Sequence, residues 1–171
     1  MNLFEEEIKI RRTWVGVLLL ISMLMSSVII GVSLLADLRS SDYKTTIFIV
    51  VLVEGLLFMQ FLIAELRVRI DAVGIGYQWF PLMLKPKRIN WDLIEYAWVR
   101  KSNPLKEFGG WGIKGTKKNR AYNVSGNMGL QLIFSDKNKI FIETQNPEQL
   151  TQVLIQLASK GMKGMNQQPN E

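Results

Sequence analysis

Trp14-Val-Gly-Val-Leu-Leu-Leu-Ile-Ser-Met-Leu-Met-Ser-Ser-Val-Ile-Ile-Gly-Val-Ser-Leu-Leu-Ala36 has no charged side chain. About 20 apolar residues at 1.5 Å rise span a hydrocarbon core of roughly 30 Å, so the run predicts a membrane-spanning helix. A second run, Thr45-Thr-Ile-Phe-Ile-Val-Val-Leu-Val-Glu54-Gly-Leu-Leu-Phe-Met-Gln60-Phe-Leu-Ile-Ala64, has comparable length. The short polar stretch Asp37 to Lys44 between them predicts an antiparallel helical hairpin. A cleaved leader fits poorly, because Glu5, Glu6 and Glu7 precede the first run and Leu34 stands where a small residue should precede Ala36. Lys9, Arg11 and Arg12 before the hairpin, and Arg67 and Arg69 after it, outweigh Arg39 and Lys44 in the loop. That bias predicts both termini in the cytoplasm.

Composition narrows the chemistry. The chain has no cysteine and no histidine. Disulfides, thiolate nucleophiles, the usual zinc sites and histidine acid–base catalysis are thereby excluded. No residue pair suggests catalysis, and the expectation is a protein that is not an enzyme and needs no cofactor or metal. The net charge of +6 suits a chain beside an anionic bilayer. Nucleic acid is the other partner a basic chain suggests, and it is not expected here.

From Glu65 the period changes to two. Leu66, Val68 and Ile70 alternate with Glu65, Arg67, Arg69 and Asp71, the pattern of a half-buried strand. An Asp71-Ala-Val-Gly74 turn leads to a second strand over Ile75 to Trp79. Further strands are predicted at 94–100, 111–114, 121–124, 130–134 and 140–144. A helix then opens with Asn146 as N-cap and Pro147 at its first position, presents Leu150, Val153, Leu154 and Leu157 on one face, and ends near Lys160-Gly161. The predicted organisation is a cytoplasmic segment over 1–12, a hairpin over 13–64 with helices at 13–36 and 45–64, a β domain over 65–160, and a disordered tail over 161–171.

Seven strands and a C-terminal helix give the order of a pleckstrin-homology-like (PH-like) barrel or sandwich. Phe108-Gly-Gly-Trp-Gly-Ile-Lys114, Arg120-Ala-Tyr-Asn-Val-Ser-Gly126, Gly129-Leu-Gln-Leu132 and Ile142-Glu-Thr-Gln-Asn-Pro-Glu-Gln-Leu150 cover roughly the last third of the chain. On these residues the chain resembles bacterial membrane proteins of uncharacterised function that join a transmembrane hairpin to a PH-like domain. The resemblance implies a membrane α-helical hairpin plus an α+β domain, multi-pass in a bacterial cytoplasmic (inner) membrane, and it implies no reaction. The phosphoinositide binding of eukaryotic PH domains does not carry over, because Asp71-Ala-Val-Gly74 replaces the basic loop between the first two strands.

Basic residues lie instead at Arg100, Lys101, Lys106, Lys114, Lys117, Lys118 and Arg120, opposed locally by Glu107, with Trp111 among them. They read either as a solvated loop or as a contact for anionic lipid or an acidic partner. Gly110-Trp-Gly112-Ile-Lys-Gly115 matches the GxGxxG string, with Asp136 farther on. A strand-to-helix turn is required for dinucleotide binding, and here another strand follows, so the glycines read as bends.

Glu54 lies near the middle of the second run, too far from either end to snorkel. Such a residue must be neutral, paired or facing water. No lysine or arginine lies in either run, so a hydrogen bond to Ser22, Ser26 or Ser27 is expected, or a contact with another chain. The functional expectation is a membrane-anchored binding or scaffolding module, with the bilayer and a protein partner or second copy as neighbours of the hairpin. The alternative is a small subunit or homo-oligomer in transport, working through Glu54.

Overall fold

The structure, a computed structural model, describes residues 2–10, 14–36 and 43–169. It divides into two compact units, Met1–Lys9 with Glu65–Glu171, and Ile10–Ala64.

The larger unit holds two sheets. The first is an antiparallel meander of β1 (Asn2–Lys9), β2 (Glu65–Asp71), β3 (Gly74–Phe80) and β4 (Lys87–Asn90), in that spatial order. The second comprises β5 (Ile94–Lys101), β6 (Gly112–Gly115), β7 (Asn119–Asn123), β8 (Met128–Phe134) and β9 (Lys139–Glu143), ordered β5-β8-β9-β7-β6. Its β7–β9 pair is parallel and its other pairs are antiparallel. A short helix α3 (Pro104–Phe108) follows β5, and α4 (Pro147–Ser159) follows β9; α1 and α2 belong to the other unit, described below.

Period-two alternation makes the core. Leu66, Ile70 and Ile75 of the first sheet are buried, as are Tyr122, Leu130, Leu132 and Ile142 of the second and Leu150, Leu154 and Leu157 of α4. The Tyr77 and Tyr122 rings, from the two sheets, lie 4.7 Å apart between centroids. Burial and the neighbouring Tyr122 raise the Tyr77 phenol well above its ordinary value.

On the other face of the second sheet, Ala121 and Phe141 pack with Phe108 of α3. Asn103 caps α3 by accepting from the Lys106 N–H at 3.2 Å, while the Glu107 carboxylate accepts from the Asn103 N–H at 2.7 Å. Arg100 fixes the helix to the sheet: it donates to Glu107 (2.6 Å) and Gln131 (3.0 Å) and lies over the Phe141 ring. The hydrogen bond from Arg100 holds the Glu107 carboxyl below its ordinary value.

The smaller unit contains α1 (Trp14–Ala36) and α2 (Tyr43–Ile63), where the apolar runs predicted helices. The Ile10 N–H donates to the Ala64 carbonyl, and Ser26 meets Glu54, so the two helices run antiparallel. The membrane reading is corrected. Among the described residues, no helix is long and apolar enough to cross a membrane. Glu54 interrupts the apolar side chains of α2, whereas spanning needs about 20 mostly apolar residues. The transmembrane hairpin and the multi-pass placement in a bacterial inner membrane are not supported.

The PH-like barrel or sandwich is corrected too. Nine strands form two sheets among the described residues, one sheet contains a parallel pair, and the class is α+β. Two strands were not expected. Asn2–Lys9 lies in the cytoplasmic segment expected over 1–12 without a strand, because Glu6 interrupts the apolar face between Phe4 and Ile8, yet all three are buried. Strand β4 turns only Ile89 inward. Beyond α4, Met165 is buried and bridges Ala97, where a disordered tail was expected.

Candidate functional site

Lys114, Lys117, Lys118 and Arg120 come together on the β6–β7 hairpin. Lys114 opposes Ala121, Arg120 opposes Gly115, and Lys117 and Lys118 form the tip. The turn is closed by the Thr116 N–H donating to the Asn119 carbonyl at 2.9 Å and by the Asn119 N–H donating to the Thr116 hydroxyl at 3.2 Å. Gly115 has φ +86°, and a Cβ there would lie 2.1 Å from the Asn119 carbonyl oxygen, so only glycine fits without a shift. The Lys139 N–H donates to the Lys118 carbonyl, which brings a fifth basic residue beside the tip.

The charges of this hairpin are uncompensated. Lys114, Lys117 and Lys118 are exposed and Arg120 is half-buried. Among the described residues, none of these four nor Lys139 forms an ion pair, whereas Arg67, Arg69, Arg88, Arg100 and Lys137 each do. Trp111 stands apart. Its half-buried indole N–H donates to the Gly126 carbonyl at 3.4 Å, which ties the loop before β6 to the turn after β7.

That turn is held by Glu143, a residue the sequence did not single out. Its carboxylate is buried and accepts from the Val124, Ser125 (2.9 Å) and Gly126 (2.8 Å) N–H groups. Burial raises the Glu143 carboxyl above its ordinary value, against the pull of those three donors, and the charge of Glu6 adds to the rise. Glu6 itself accepts from the Thr144 hydroxyl (2.7 Å), the Gln145 N–H (2.9 Å) and the Asn146 side-chain amide (2.7 Å). Asn146 therefore serves Glu6, and no side-chain bond caps α4.

In the helical unit, Ser26 and Ser27 both lie against the Glu54 carboxyl, Ser26 at 3.0 Å. Each hydroxyl also lies within 2.9 Å of the Met23 carbonyl, so two hydroxyl protons serve four contacts. Ser22 takes no part and is exposed. Glu54 faces a groove of about 330 Å³ lined by apolar residues including Met23, Leu24, Val51 and Phe58.

The Gly110-to-Gly115 string runs into β6 and the basic turn, with no helix behind it, so the helix N-terminus a dinucleotide site needs is missing there. Among the described residues no group of three or more acidic, histidine or cysteine side chains could hold a metal. Comparison with protein-family models, curated proteins and solved structures found no match, so the resemblance to PH-like membrane proteins gains no support.

Proposed function

We propose that this chain is a binding or scaffolding module that is not an enzyme, and that the β6–β7 hairpin is its docking element for an anionic partner. The observation that carries the reading is the set of four cations on one hairpin without an ion pair among the described residues. Unpaired surface cations contribute little to folding and are available to an acidic protein segment or an anionic lipid surface, where each adds about 1 kcal/mol.

The helical unit supplies a second contact. Val17, Leu24, Val28, Phe48, Val51 and Leu56 are all more than half exposed, and apolar surface of this kind marks an interaction site. A partner chain or a second copy would cover it. The transport alternative draws no support from Glu54, whose carboxyl is already engaged by two serines.

The test is a Lys117→Glu, Lys118→Glu double variant. A photo-crosslinker at Thr116 in cells, followed by mass spectrometry, should capture an acidic partner in the parent chain and lose it in the variant. In parallel, binding to phosphatidylserine vesicles should weaken as salt rises if the anionic surface is lipid. Unchanged crosslinks and unchanged vesicle binding in the double variant would overturn the reading.

A further inference from the structure

The outward face of the first sheet holds a second basic site with a different construction. Arg67, Arg69 and Asp71 of β2 point away from the core, opposite the buried Leu66, Val68 and Ile70. Across the sheet, Arg69 opposes Gly76 of β3, and Gly76 opposes Arg88 of β4. The middle position of this row has no side chain. The result is a half-open cleft of about 290 Å³ between two arginines, with Arg67, Gln78 and Lys87 on its walls.

The backbone does not require that glycine. A Cβ at position 76 would make only ordinary contacts, 3.8 Å to the Arg69 carbonyl oxygen and 3.9 Å to that of Lys87, and φ lies outside the left-handed region. What a side chain would do is fill the cleft.

The arginines are held but not exhausted. Arg69 donates through Nε to Glu5 at 2.7 Å. Arg88 donates through Nη2 to both oxygens of Asp71, at 2.8 and 2.7 Å. Arg67 pairs with Glu65 and Glu7. A guanidinium has five N–H donors, so each carboxylate fixes the orientation of an arginine and leaves further donors over. Lys87 opposes the buried Tyr77, so its side chain leaves β4 on the face opposite Arg88.

We propose that the Gly76 cleft binds a phosphate group, with Arg69 and Arg88 as its donors. A phosphate dianion has the acceptor oxygens to take the remaining donors and the charge to compete beside Glu5 and Asp71. The cleft is at the small end of ligand sites, which suits one phosphoryl group rather than a whole nucleotide. The site is separate from the β6–β7 hairpin and does not rest on it.

The experiment is thermal unfolding of the full chain titrated with inorganic phosphate against sodium chloride of equal ionic strength. Phosphate should raise the midpoint by about 3–6 °C beyond the chloride control. Gly76→Leu, which fills the cleft and keeps every cation, should abolish the rise. Arg69→Gln, which gives up only an exposed ion pair, should halve it or more, and it keeps the test decisive if Gly76→Leu does not fold. Vesicles with and without phosphatidic acid separate a lipid headgroup from free phosphate: binding to the acidic vesicles that is lost in Arg69→Gln, with no phosphate response, assigns the same chemistry to lipid. The Lys117→Glu, Lys118→Glu chain should retain the response. A rise matched by chloride, or preserved in both cleft variants, with no vesicle binding that depends on Arg69, overturns the proposal.

Discussion

The Glu6 carboxylate accepts a 2.7 Å hydrogen bond from the Thr144 hydroxyl across 138 positions of sequence. With the Gln145 N–H and the Asn146 amide, it joins the first strand to the segment that starts the last helix. A buried carboxylate is tolerated only when its oxygens are satisfied, and here three donors do so.

Removing this anchor should be costly. Glu6→Ala leaves the buried Thr144 hydroxyl and two part-buried donors without their acceptor, and we expect a loss of about 1–3 kcal/mol. Urea unfolding should show a lower midpoint at an unchanged slope. A loss below about 0.5 kcal/mol would mean that water replaces the carboxylate, and that β1 is not held through Glu6.

Glu143 sets a pH dependence. Its folded-state carboxyl is raised by burial above the ordinary value of 4.5, so its contribution is fully present below that value. The contribution declines as pH rises through the folded value. Asp71 acts in the opposite sense. The Val73 N–H, then the Gly74 N–H and Arg88, hold its carboxyl below the ordinary value, and its contribution is lost as pH falls. Urea midpoints across pH should therefore fall on the alkaline side of the carboxyl range in the parent chain. Glu143→Gln should be less stable, because an amide turns N–H donors toward the backbone N–H groups, and its alkaline-side slope should be flatter.

Gly115→Ala tests the hairpin without touching charge. A Cβ 2.1 Å from the Asn119 carbonyl, at a φ of +86°, should cost about 1–3 kcal/mol. Weaker anionic binding in this variant, measured by vesicle cosedimentation at a temperature where the chain stays folded, would show that the turn's shape matters as well as its lysines. Equal binding would assign the effect to charge alone.

Glu54 can be tested because the chain has no cysteine of its own. Met23→Cys and Phe58→Cys place two thiols on the walls of the Glu54 groove. Oxidative crosslinking of this pair should survive Glu54→Gln, whose amide still meets Ser26 and Ser27, and should fall in Glu54→Leu. Equal crosslinking in both would show that apolar packing alone pairs the helices.

Much of the fold is legible where one face of a strand is uniformly apolar. Strands β2 and β3 alternate cleanly, β5, β8 and β9 show as β-branched, aromatic or apolar runs, and α4 announces itself by Pro147 and its leucine face. Strand β1 is not legible, since the inward Glu6 finds its partners only at Thr144 to Asn146 and turns an alternating strand into an apparent run of charge. Helix α3 is five residues long, and its apolar contact with Ala121 and Phe141 is tertiary. The apolar runs fix helices and do not fix a membrane span: among the described residues neither helix meets that length and apolarity. The basic hairpin is legible because its residues are contiguous. The Gly76 cleft is not, because Arg69, Gly76 and Arg88 meet only through the register of three strands.

The pairing of β1 with β2 has a consequence for how the chain can be cut and rebuilt. Lys9 and Glu65 are cross-strand partners, so the segment between them leaves and returns at points one strand spacing apart, about 4.8 Å. Residues 10–64 are in effect a cassette inserted at the tip of a β-hairpin. Replacing them with a two-residue Asn-Gly turn would close that hairpin directly and should leave a β-rich unit that folds alone, carrying both basic sites and none of the apolar helical surface.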